Sequence, residues 1–175
     1  GLGDVYKRQR IPRSALKDPV GIRYWPFNPG RDPARTPMQW NDSLSAGFTT
    51  GDPWLPVNKA YTQVNVSVQE VDNDSLLNWY RELLKLRRCQ PALQAGDYRT
   101  VQSGSDIFVY ERRLDDEQIL IALNFSNQPQ AVQLPDVSNW EILLAYPSTA
   151  VENLAGPRIT LAPYAILIVR PAAHN

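Results

Sequence analysis

Residues 97–170 constrain the fold most tightly, because they break into short apolar runs at close spacing. The runs are Tyr98–Val101, Ile107–Arg113, Gln118–Phe125, Ala131–Leu134, Trp140–Leu144, Arg158–Leu161 and Ala165–Arg170. Each is rich in β-branched or aromatic side chains, which fit a pleated, half-buried surface. Turn formers separate them at 103–106, 114–117, 126–129 and 155–157. Strands this short and this close together imply an antiparallel sandwich of Greek-key type. Runs 107–113 and 118–125 form its clearest hairpin. Within this region Trp140 and Tyr146 are candidate sugar-stacking aromatics. Trp140 opens an alternating strand, so its expected place is the core.

A helix precedes the strands. In DSLLNWYRELLKLRR (74–88), Leu76, Leu77, Tyr80, Leu83, Leu84 and Leu86 recur at helical spacing and make one apolar stripe. Asp72 or Asp74 is placed to accept from the free N–H groups at its start. Arg87 and Arg88 suit its carboxyl end, and Pro91 stops it. The stripe needs a partner surface, either the sheet that follows or part of a larger scaffold.

Residues 10–70 combine many Pro and Gly with Trp25, Phe27, Trp40, Phe48, Trp54 and Tyr61. Disordered segments are poor in aromatics. Aromatics among turn formers suit an irregular segment packed on a larger body. The leading stretch GLGDVYKRQR has no apolar core and reads poorly as the start of a domain. Residues 1–9 are expected to be a non-native leader.

The chain has 175 residues, with 18 basic and 18 acidic side chains. That balance gives no reason to expect nucleic acid or an anionic membrane as partner. No run approaches the about 20 apolar residues that span a bilayer. The one cysteine, Cys89, reads as a packing residue, and the one histidine, His174, is next to the end. A Cys–His pair and a zinc site are not expected. Phosphate-loop, dinucleotide, HExxH and GxSxG patterns are missing, so no cofactor or metal is expected. Four Asn-x-Ser triplets begin at Asn41, Asn65, Asn73 and Asn124. Without a secretory signal they read as chance.

One segment concentrates binding chemistry. In Gly30-Arg31-Asp32-Pro33-Ala34-Arg35-Thr36-Pro37-Met38-Gln39-Trp40, two arginines flank an Asp. Guanidinium forks can hold carboxylates or paired sugar hydroxyls, and an indole offers a flat face to a sugar ring. From composition alone the preferred reading is an Arg–Asp staple that holds the loop, with Trp40 as its anchor.

Residues 30–58, GRDPARTPMQWNDSLSAGFTTGDPWLPVN, resemble the region after the last barrel strand in the α-glucosidase and oligo-1,6-glucosidase branch of the α-amylase superfamily (glycoside hydrolase family 13). Residues 11–30 resemble the loop that follows strand eight there. Residues 68–101 resemble the final barrel helix and its exit. IFVYERR, ILIALNFSN and LAPYAILIV resemble strands of the closing β-sandwich.

The resemblance implies the last loop and helix of a truncated (β/α)8 barrel over 10–90, then an antiparallel β domain over 91–175. It implies a fragment of a retaining, exo-acting α-glucosidase that hydrolyses terminal α-linked glucose from short oligosaccharides. The catalytic carboxylates and the N-terminal barrel are expected to be missing from this chain, leaving it inactive alone. Arg35 matches the arginine that holds the non-reducing glucose. Arg31 and Asp32 match the same rim and are expected to position the loop. Asn41, where many relatives carry Asp, is given no role. Two alternatives are a non-catalytic relative, such as a transporter heavy-chain ectodomain, and a stand-alone carbohydrate-binding or structural β module. The parent's compartment is left open, with the cytoplasm preferred.

Overall fold

The structure is a computed structural model, and it describes residues 11–135, 139–151, 154 and 156–172. The chain divides between Trp79 and Tyr80 into two compact units.

The second unit is the β domain. Its strands are β1 (Asp97–Ser103), β2 (Ile107–Leu114), β3 (Glu117–Asn124), β4 (Gln130–Gln133), β5 (Trp140–Tyr146), β6 (Arg158–Leu161) and β7 (Ile166–Pro171). All seven expected runs are strands. Five form one antiparallel sheet in the order β1-β2-β3-β7-β5, and β4 pairs with β6 in a second. The β2–β3 hairpin pairs Leu114 with Glu117, so the turn is Asp115–Asp116 alone. Asp115 has φ of 49° there, a left-handed conformation that Asp tolerates better than most residues.

Side chains alternate across a strand, so one strand can feed two cores. In β3, Leu120 and Ala122 face the space between the sheets, where they meet Val109, Val132, Leu134, Trp140, Ile159, Leu161, Leu167 and Val169. Ile119 and Ile121 face the other way, with Ile168 and Ala92. Both faces of the middle of the larger sheet are therefore buried, which accounts for the continuous apolar run ILIAL. Trp140 is 6% exposed and belongs to the first core, as its place in the pattern requires.

Helix α3 (Leu76–Cys89) straddles the division between the units. Helices α1 (Pro19–Arg23) and α2 (Val66–Val71) precede it, and α4 (Pro91–Ala95) follows. Leu83 and Leu86 of α3 and Leu93 of α4 pack against the outer core of the sheet. Leu76, Tyr80 and Leu84, at spacing four, remain about half exposed. The apolar stripe thus serves the sheet with only part of its width.

Two expectations are corrected. The acceptor at the start of α3 is Ser75, whose Oγ takes the Asn78 N–H at 3.2 Å, not Asp72 or Asp74. Asp72 instead accepts from the Asp74 N–H in a turn of its own. Gln69 Oε1 takes the Leu77 N–H, so α2 helps to cap α3. Cys89 is exposed, not packed, because it ends the helix beyond the residues pressed on the sheet. The expected leader, residues 1–9, and His174 lie outside the described residues.

The first unit is irregular, with short 3-10 turns at Arg13–Ala15, Asp32–Ala34 and Lys59–Thr62. Its apolar centre is small: Ile11, Leu16 and Leu55, with Ala15 and Trp25 against them. Among the described residues, no helix is long and apolar enough to cross a membrane.

Candidate functional site

The segment 17–40 is held by two aspartates, Asp32 accepting from the Asp18 N–H and Asp18 from the N–H of Arg31, the residue before Asp32. Asp32, 1% exposed, accepts the N–H groups of Lys17 and Asp18 on Oδ2, at 2.5 and 2.8 Å. Asp18 Oδ2 takes the Arg31 N–H at 2.7 Å. Its other oxygen, Oδ1, caps α1 by accepting from Val20 at 3.0 Å. Carboxylates that accept backbone N–H groups are held in their charged form. The Arg31 and Val20 N–H groups accordingly lower the Asp18 pKa, and the charges of Arg35 and Arg31 add to that pull against the cost of burial.

The clamp leaves room for no side chain at Gly30. This residue has φ of +68°, and a Cβ would lie 2.7 Å from Asp18 Oδ2 and 2.8 Å from the Gly21 nitrogen. Only glycine adopts that conformation without cost and fits that gap.

From this base the chain makes the 3-10 turn Asp32–Ala34. Arg35 closes it by donating its N–H to the Asp32 carbonyl at 2.9 Å. Arg31 and Arg35, the residues on either side of the turn, are exposed, whereas Asp32, Pro33, Thr36 and Pro37 are buried. The sequence pattern therefore separates into a buried scaffold and two presented guanidinium groups. Asp32 faces inward and its Oδ1 finds no donor among the described residues. Its contacts are with the loop's own backbone.

Beyond Arg35 the chain is pinned to the start of α2. The Gln39 carbonyl accepts from Val66 at 3.0 Å, and the Trp40 carbonyl accepts from Ser67 at 3.0 Å. Gln39 Nε2 also donates to the Val64 carbonyl. Trp40 itself is half exposed. Asn41 is a turn residue: its Oδ1 accepts from the Ser43 N–H and hydroxyl. Ser45, Ala46 and Gly47 follow with φ of 55°, 57° and 66°, a left-handed turn that returns the Ala46 carbonyl to the N–H groups of Trp40 and Asn41.

Asp18 is the member of this site that the sequence reading omitted. The available signal was Asp18-Pro19, an N-cap residue followed by proline at the first helical position. Its link to residue 31 spans 13 positions, and no local pattern reports it.

Three carboxylates of the β domain are occupied structurally. Glu111, 3% exposed, pairs with Arg99 at 2.6 Å and accepts from Gln118 at 3.2 Å. Glu117 Oε2 accepts the Ala92 N–H at the start of α4, at 2.6 Å. Glu141 pairs with Arg170 at 2.8 Å, which lowers its pKa. Among the described residues, no group of three potential ligands could hold a metal ion.

Residues 5–96 match the model of the α-amylase catalytic domain, and residues 98–168 match that of the maltogenic amylase C-terminal domain. An oligo-1,6-glucosidase of Bacillus cereus is 38% identical over 143 residues, covering 81% of this chain and 26% of its own length. The glucan 1,6-alpha-glucosidase of Streptococcus pneumoniae is 40% identical over 101 residues, 58% of this chain and 19% of its own. Among solved structures, a trehalulose synthase variant, MutB, in complex with Tris superposes with a TM-score of 0.71 at 39% identity. That match covers 81% of this chain and 26% of the other. A further MutB variant in complex with glucose gives a TM-score of 0.74 at 30% identity over 97% of this chain. The chain thus spans about a quarter of the length of the curated relatives it matches first. A catalytic-domain match over more than half of its residues, followed by the C-terminal domain in order, makes this chain a member of the α-amylase family, glycoside hydrolase family 13.

Proposed function

We propose that this chain is the C-terminal piece of a retaining, exo-acting α-glucosidase that releases terminal α-linked glucose from short oligosaccharides. The observation that carries the reading is Arg35. It is presented outward at the end of a turn whose other members are mostly buried, within a stretch matching the α-amylase catalytic domain. A rigidly based guanidinium can hold two hydroxyls of a terminal sugar, which favours cleavage at a chain end. Arg31 shares the rim. Asp32 serves the site by positioning the loop.

In the reaction proposed for the parent, one carboxylate attacks the anomeric carbon as a carboxylic acid protonates the leaving oxygen. Water then releases glucose with retained configuration. Neither group is assigned to this chain. Its buried carboxylates Asp18, Asp32 and Glu111 are engaged by backbone or by Arg99. The partner of the site is the remainder of the barrel.

The test is glucose release from p-nitrophenyl α-glucoside by the intact gene product and by residues 11–175 alone. Activity in the intact protein and none in residues 11–175 is the expected result. Turnover by residues 11–175 overturns the assignment of the catalytic groups elsewhere. Failure of the intact protein on α-glucosides moves the reading to a non-catalytic relative.

A further inference from the structure

We propose that Asp18 is a positioning residue for substrate binding, which fixes where Arg35 is presented by holding the Arg31 N–H and the start of α1 with its two oxygens. The inference rests on the reading that Arg35 holds the terminal sugar. The linkage is short and continuous. Asp18 Oδ2 binds the nitrogen of Arg31, which is the N-cap of the 3-10 turn Asp32–Ala34. Arg35 is the C-cap of the same turn, through its own N–H on the Asp32 carbonyl. Asp32 locks the far side by accepting from Lys17 and Asp18. One rigid turn therefore connects the carboxylate to the guanidinium-bearing residue, and Gly30 lets the carboxylate approach.

The two oxygens have separable duties. Serine is as good an N-cap as aspartate, so Asp18→Ser keeps an acceptor for the Val20 N–H. It is too short to reach Arg31 and has no second oxygen for it. Loss of the clamp with the cap retained leaves the fold but loosens the turn. Small displacements of a binding group lose much of its effect on the transition state.

The experiment uses the intact gene product, with Asp18→Ser, Arg35→Ala and the double variant. The substrates are p-nitrophenyl α-glucoside and its 2-, 3-, 4- and 6-deoxy analogues. Hydrogen bonds from a charged donor have effects of about tenfold or more, so each single variant should lose about tenfold in kcat/KM on the parent glucoside. Both should lose much less on the same deoxy analogues, those lacking a hydroxyl that Arg35 holds. The double variant should be no worse than Arg35→Ala. A merely structural defect would instead lower kcat/KM equally for all five substrates, and that result in Asp18→Ser overturns the proposal. So does an unimpaired Asp18→Ser beside an impaired Arg35→Ala, which leaves the reading of Arg35 standing. An unimpaired Arg35→Ala removes that reading and the proposal with it.

Discussion

At the scale of single residues, the site is built by two carboxylates that bind backbone, and Asp18 makes the loop sensitive to acid. The Asp18 pKa lies below its ordinary value of 3.8, chiefly because of the Arg31 and Val20 N–H groups. A depressed folded pKa means that the unfolded chain binds the proton more readily. The stabilisation is therefore fully present above the unfolded value and is lost as pH falls through the lower, folded one. The stability difference between the native chain and Asp18→Asn should be constant near neutrality and shrink below pH 3.8. Urea midpoints measured across that range check this, and a difference that grows on acidification contradicts it. Arg31, Asp32 and Arg35 stand out in the sequence as clustered charges, but the role expected of Arg35 came from the family resemblance and not from their spacing. Which of the three faces outward could not be read there, since exposure depends on residues 17 and 18 arriving from elsewhere. Asp32 has the charge of a ligand group, yet it is 1% exposed and bonded to main chain.

At the scale of elements, the seven strands were legible because runs of β-branched and aromatic residues, and the turn residues between them, are local signals. The short helices α1 and α2 were not. Runs of 5 and 6 residues show no helical periodicity, and their existence depends on the caps Asp18 and Asn65. The register shifts at Thr100/Gln102 and Ile142/Leu144 also leave no local mark. A further link joins elements far apart in sequence. Asn124, 3% exposed at the end of β3, accepts from the Ser126 N–H and hydroxyl at 2.9 and 3.0 Å. Its Nδ2 donates to the carbonyls of Gln128 and Ala162, each at 2.8 Å. The side chain thus joins the β3–β4 turn to the end of β6. Asn124→Ala removes a buried side chain and leaves the partly buried Ala162 carbonyl without that donor, which should cost about 1–3 kcal/mol. Denaturant unfolding of the chain measures the loss, and a change below about 0.5 kcal/mol, as at ordinary surface sites, contradicts the clasp. The same geometry removes Asn124 and Asn65 as glycan acceptors in the folded chain. Both are buried, and their amide groups already donate to backbone.

At the scale of the molecule, the two units differ in how much of their apolar surface they bury. Among the described residues, the β domain buries a core of thirteen between its sheets, many of them fully enclosed. The first unit has three, Ile11, Leu16 and Leu55. It exposes Phe27 at 94%, Leu44 at 83% and Val71 at 84%, with Tyr24, Trp40, Phe48 and Trp54 roughly half exposed. Burial contributes roughly 25 cal/mol per Å² of apolar surface, so a unit that leaves its aromatics in water forgoes several kcal/mol. Total domain stability is only about 5–15 kcal/mol. Local opening follows the same ledger, with amides over a thin core exchanging through small fluctuations and those of a closed core only through global unfolding. In the isolated 175-residue chain, the amides of β2, β3 and β7 should therefore be the slowest to exchange. Those of residues 11–71 should exchange far faster, despite their defined hydrogen bonds. On the proposed reading, in which the rest of a barrel covers its aromatics, the first unit should gain protection in the intact gene product, while β3 should change little. Hydrogen exchange read by mass spectrometry separates the cases. Equal protection of 11–71 in both proteins would mean that the loop and its arginines are self-supporting. The Asp18–Asp32 clamp would then suffice to present Arg35 without the remainder of the barrel.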